Sequence, residues 1–159
     1  MIPYLGVIVL LAAGAATAFV VWISREMPTP AREAAWVVRR AGNFVQRVRT
    51  QMPEGLDETE LYPRAVTLTW PYEGAMPAKP EVARLDRFED ALEALEEAGH
   101  GHLMFVTTGE GRRMWTWFVR DERAFVEDVR AIDGAERVAV ATGDDPKWDA
   151  YTRMRRSMM

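Results

Sequence analysis

Few residues in this chain have the types and spacing that chemistry requires. His100 and His102 flank Gly101, so on an extended strand both rings could fall to one side. A metal site would need further ligands and an ordered second layer behind them. No helical His pair with a carboxylate is present, and no calcium-loop pattern. The two histidines read as a pair at an exposed turn. Asp144, Asp145 and Asp149 could hold a cation weakly, but helix capping and solvated charge use the same residue types. Gly109-Glu110-Gly111 is too short to cradle a phosphate and suits a hairpin turn. There is no G-x-S-x-G elbow and no sign of a Ser-His-Asp set. The chain has no cysteine, which removes thiolate ligands, disulfides and a Cys nucleophile together. Glu89, Asp90, Glu93, Glu96 and Glu97 read as the solvated face of a helix. No catalytic, cofactor-binding or metal-binding residue is expected, and the chain is not expected to be an enzyme.

The frame that would hold any site is easier to read. The chain has 159 residues, 48% apolar and 28% charged, with a net charge of −4. That is a globular composition with room for one ordinary domain. Residues 62–153 carry 12 Lys and Arg against 18 Asp and Glu, a net −6. Trp115 and Trp117 beside Arg112 and Arg113 could stack bases, but a field of that sign repels phosphate, so nucleic acid is not an expected partner.

Ile2 to Ile23 runs for 22 residues without a charge. A helix of that length spans the ~30 Å hydrocarbon core of a bilayer. Tyr4 and Trp22 sit at the depths where amphipathic rings are favoured. A cleaved signal peptide would want a basic residue ahead of a shorter apolar run. Residues 1–24 are therefore expected to form a transmembrane helix. Arg25, Arg32, Arg39 and Arg40 follow it and none precedes it, which places the N-terminus outside and the rest in the cytoplasm. Gly14 with Ala18, and Ala12 with Ala16, are spaced for close contact with a neighbouring helix.

Residues 25–61 are expected to hold a basic amphipathic helix and a linker. Thr29 and Pro30 could open that helix. Ala34, Val37, Val38, Ala41, Phe44, Val45 and Val48 then share one helical face. Trp22, Arg25, Arg39 and Arg40 would lie at the membrane interface. Met52 to Glu60 is polar and turn-rich.

Residues 62–159 alternate strand and helix. Ala65 to Trp70 alternates as a strand, and Pro80 to Ala98 carries Val82, Leu85, Phe88, Leu92 and Leu95 at helical spacing. His102 to Thr108 and Arg112 to Val119 form a hairpin. Asp121 caps a second helix, and Arg137 to Thr142 is a fourth strand. Asp145-Pro146 opens a terminal helix with Trp148 and Tyr151 on one face. The order is βαββαβ, which predicts an α+β, ferredoxin-like domain: a four-stranded antiparallel sheet with both long helices on one face. The Arg112 to Val119 strand is apolar on both sides. Trp115, Trp117 and Val119 thus form a candidate partner surface, unless Trp148 and Tyr151 of the terminal helix cover that face.

Leu85-Asp86-Arg87-Phe88-Glu89-Asp90-Ala91-Leu92, then Thr107-Thr108-Gly109-Glu110-Gly111-Arg112-Arg113, then Asp145-Pro146-Lys147-Trp148-Asp149-Ala150-Tyr151 stand in an order that resembles a bacterial family of unknown function, family six-nine-five. The resemblance covers about residues 65–155. Asp-Pro-x-Trp-x-x-Tyr is its most specific part. It implies a small α+β domain and supplies no activity or catalytic residues. Physically, Asp145, Pro146, Trp148 and Tyr151 suit a structural motif that caps a helix and seals the sheet.

The expectation is a non-catalytic accessory or scaffolding subunit of a bacterial membrane complex, of which respiratory and photosynthetic complexes are examples. It would sit in the inner membrane and contact other integral membrane subunits and the lipid bilayer; a homo-oligomer is compatible with this. A tethered regulatory module acting through its sheet, and an enzyme of unfamiliar type, are the alternatives.

Overall fold

The computed structural model describes residues 36–50 and 59–158. Six strands form one sheet: β1 (Trp36–Ala41), β2 (Phe44–Arg49), β3 (Arg64–Pro71), β4 (Gly101–Gly109), β5 (Arg112–Val119) and β6 (Ala139–Asp144). Their order across the sheet is β1-β2-β4-β5-β3-β6, and each neighbouring pair is antiparallel. Three α-helices accompany them: α1 (Lys79–Glu97), α2 (Glu122–Arg130) and α3 (Asp149–Met158).

The α+β class follows from the sequence, but the sheet has six strands instead of four. The added pair comes from the segment expected to be an amphipathic helix. Val37, Val38, Val45 and Val48 are β-branched and favour extended backbone. Gly42-Asn43 between them makes a two-residue turn with Gly42 at φ 59°, the glycine-first pattern of a tight hairpin. A glycine there would have weakened a helix by about 1 kcal/mol. Residues 36–49 therefore extend the sheet along β4 and do not form a separate juxtamembrane element. The expected transmembrane helix, and most of the linker, fall outside the described residues. Among the described residues no helix is long and apolar enough to cross a membrane.

Register decides which strand face meets the helices. Val66, Leu68 and Trp70 of β3 pair with Trp117, Trp115 and Arg113 of β5. Their shared face takes Leu85, Phe88 and Leu92 of α1 and Phe125 and Val129 of α2. Trp115 and Trp117 are fully buried there, 5.5 Å from Phe88 and 5.1 Å from Phe125 between ring centres. Burying such a side chain contributes about 3 kcal/mol.

The opposite face carries α3. α3 and the turn before it lay Trp148, Tyr151 and Met154 over Val48, Met104 and Phe118, and Trp148 stacks on Phe118 at 4.3 Å. A bulge between Leu103 and Phe105 sends Met104 to this side. The same face carries Thr67, Thr69, Thr107 and Thr116, of which Thr107 and Thr116 are buried; the hydroxyls of Thr67 and Thr116 lie 3.3 Å apart.

Candidate functional site

α1 brings two kinds of side chain to the sheet. Its apolar residues enter the core, while Glu89 and Glu96, seven residues and two turns apart, run along the margin. Glu89 accepts the Trp115 indole N–H at 2.9 Å and is closed in by the guanidinium of Arg47 from β2. Arg113 of β5 reaches the same carboxylate at 3.5 Å and Asp86 at 3.4 Å, while donating to the Thr108 hydroxyl. Glu96 accepts from Arg49 at 2.6 Å and lies 3.2 Å from His102 Nδ1.

These two carboxylates were expected on a solvated face; instead each is only 13% exposed and paired across the sheet. A signal for this existed in the sequence. On a strand, Arg47 and Arg49 point to one side, which is the side α1 occupies. It is visible only once the segment is read as a strand.

The histidines do not converge. His100 pairs with Asp128 on α2 at 2.6 Å, whereas His102 packs edge-on against Tyr62 at 4.6 Å and faces Glu96. The exposed pair at a turn is thus replaced by two separately partnered rings. Among the described residues no group of His, Asp and Glu is arranged to hold a metal ion.

The Asp145, Pro146, Trp148 and Tyr151 motif is a clamp. Asp145 accepts the amides of Asp149 at 2.7 Å and Ala150 at 2.8 Å, and its own amide donates to the Pro63 carbonyl. Pro146 lies in the turn ahead of α3, which begins at Asp149, so it is not the first helical residue. The turn holds Trp148 at φ 55°, a left-handed conformation costly for a bulky residue. Two bonds offset that cost. The Trp148 indole donates to the Tyr62 carbonyl at 2.9 Å, and the Tyr151 phenol donates to the Arg49 carbonyl at 2.8 Å. Burial raises the Tyr151 phenol above its usual range, against the nearby Arg155 and Arg49 charges. The motif thus fastens α3 to the end of β2 and to the segment entering β3.

A cleft of about 560 Å³ opens at the other end of the sheet, between the β3–α1 loop and Arg137. Glu81 is one of its lining residues. It accepts the Trp70 indole N–H at 2.7 Å and pairs with Arg84 at 2.7 Å and Arg137 at 3.4 Å. Arg137 also stacks 5.0 Å over the Trp70 ring. Tyr72 forms a wall, its phenol pushed up by burial and opposed by the Arg113 charge. Arg84 and Arg137 thus share one carboxylate, and Glu73 also lines the cleft, so its formal charges balance.

The sequence-derived residues fare unevenly. Trp115, Trp117 and Val119 are fully buried beneath α1 and α2 and so are not a surface for a partner. The reason is their register with Val66 and Leu68, whose side of β3 faces the helices. Arg39 and Arg40 are exposed on β1, a strand where a helix was expected. Ala12, Gly14, Ala16, Ala18, Trp22 and Arg25 lie outside the described residues. The sequence reading missed Glu81, Arg84 and Arg137, which come together only through the fold.

The fold is thus an α+β domain whose six-stranded sheet carries helices on both faces. The chain belongs to a family of unknown function, DUF695, whose model matches residues 45–154. The match includes all of β2 but its first residue and the Asp145 to Tyr151 clamp, while β1 precedes it. No curated protein and no solved structure matches the chain.

Proposed function

We propose that this protein is a non-catalytic accessory subunit of a membrane protein complex, anchored by residues 2–23 and engaging its partner through the edge of β1. The βαββαβ segment, with strands side by side as β6-β3-β5-β4, reads as a ferredoxin-like domain to which the β1–β2 hairpin is added. The observation that carries the proposal is β1 itself. Among the described residues it ends the sheet, it exposes Val37 (41%) and Val38 (52%), and it begins 13 residues after the uncharged run. An open edge with exposed apolar side chains is a template for strand addition by another chain. The acidic groups nearest that edge, Glu89 and Glu96, are already taken up by arginines, which favours a structural role for them.

The test is gentle detergent extraction of the tagged full chain from its native membranes, with mass spectrometry of what co-purifies. A fixed, stoichiometric set of integral membrane proteins, lost on Val38→Asp, is the expected result. Recovery of the chain alone overturns the proposal.

The cleft favours a second reading, a tethered module that binds a small anion between Arg84 and Arg137. Its volume falls within the range of small-molecule sites. Benzoate and inorganic phosphate are suitable probes. This reading requires binding that Arg137→Gln weakens.

A further inference from the structure

On the helix side of the sheet the ten acidic residues of α1 and α2 are matched by five basic ones of the same helices and by Arg47, Arg49, Arg64, Arg113 and Arg137, which pair with them. The face that bears α3 is not balanced in this way. Arg153, Arg155 and Arg156 of α3 are exposed, with Arg155 reaching back to the Tyr151 phenol, while Tyr151, Met154 and Met158 are turned to the sheet. Lys147 is exposed in the turn before it. Register adds two strand residues to the same side. Arg39 is opposite Gln46, two residues from the buried Val48, and Arg112 is two residues from Met114 on β5. Against these, the α3 segment carries only Asp145, engaged with two amides, and Asp149. A chain with a net charge of −4 therefore holds a basic face.

From this we infer that the α3 face of the domain rests on an anionic lipid surface. The inference builds on the anchored reading above. Residues 24–35, between Ile23 and β1, can span at most about 45 Å. That tether keeps the domain beside the bilayer whichever way it turns. The basic face then sets the orientation, drawn to anionic headgroups while the helix side, its charges balanced, is not. Each arginine near such a surface strengthens contact about fivefold. An acidic protein would be drawn to the same arginines, but the tether supplies the bilayer as the ever-present neighbour.

The test uses the full chain in vesicles of phosphatidylcholine alone and of an equimolar mixture with phosphatidylglycerol. The chain lacks cysteine, so Ser157→Cys on α3 and Glu127→Cys on α2 can each take one fluorophore. Quenching is read against lipids carrying a nitroxide headgroup. The expected result is strong quenching at 157 in the anionic vesicles only, removed by high salt and by Arg153→Gln/Arg155→Gln/Arg156→Gln, with none at 127. The strand variant Arg39→Gln/Arg112→Gln, which leaves α3 intact, is expected to weaken it too. Equal quenching at both positions, or quenching indifferent to lipid charge, overturns the inference while the anchor stands. Arginine variants that keep lipid contact but lose a co-purifying protein overturn it in favour of an acidic protein. Release of the chain from the vesicles by alkaline carbonate defeats the anchor reading and this inference with it.

Discussion

Arg49 accepts the Tyr151 phenol on its backbone carbonyl at 2.8 Å and gives its guanidinium to Glu96 at 2.6 Å. One residue of β2 therefore ties α3 to one side of the sheet and α1 to the other. The hairpin that the sequence reading had placed outside the domain is held at this point by both layers.

Tyr151→Phe removes the phenol and leaves the Arg49 carbonyl without its donor. A buried acceptor that loses its partner costs about 1–2 kcal/mol. The expected result is a midpoint lower by a few degrees in thermal unfolding followed by circular dichroism. Arg49→Met should cost more, because it leaves the Glu96 carboxylate with His102 alone at 13% exposure.

Alkaline pH gives the same tyrosine a second signature. Burial raises its folded-state pKa above the usual 10.0. A raised value means that the folded form holds the proton more tightly than the unfolded chain. The associated stability is complete below the unfolded pKa and is lost as pH rises through the folded one. Unfolding midpoints measured upward from pH 10 should fall more steeply for the natural chain than for Tyr151→Phe.

At the acid end the sign reverses. Arg64 donates to Glu122 through Nε at 2.7 Å, and hydrogen bonds from Arg64 and Thr142 hold the Glu122 carboxyl below its usual range. The contribution is present above the unfolded carboxylate pKa and disappears as pH falls through the folded one. Glu122→Gln should therefore be less stable than the natural chain at neutral pH. The gap should close in acid, as read by urea unfolding across that range.

The residues that made the fold legible were those with one reading. Val66, Leu68 and Trp70 alternate with threonines, Leu85, Phe88 and Leu92 recur at helical spacing, and Asp121 caps α2 by accepting the Ala124 amide. Trp36 to Arg49 had two. Val37, Val38, Ala41, Phe44, Val45 and Val48 satisfy a helical period and also two short strands, and only Gly42-Asn43 separates the cases. The site followed the fold. Arg47 and Glu89 are 42 residues apart, so their pairing depends on a hairpin that had to be recognised first. Trp115 and Trp117 were ambiguous because β5 is apolar on both sides; the pattern of β3 carried the answer in its threonines.

Gly109 offers a way to separate the hairpin from the rest of the sheet. It ends β4 opposite Phe44 at φ 153°, and a Cβ there would stand 2.3 Å from the Asn43 carbonyl oxygen. Backbone cannot yield cheaply to such a contact, so Gly109→Ala should push β2 off β4. The core between β3, β5, α1 and α2 does not include this junction. Hydrogen exchange should then show β1 and β2 opening well before β3 and β5, with the circular dichroism of the remaining sheet largely kept. If β1 is the docking edge, the same variant should lose the co-purifying membrane proteins although most of the domain is folded. Uniform exchange across all six strands would instead mean that the hairpin and the rest of the sheet unfold as one unit.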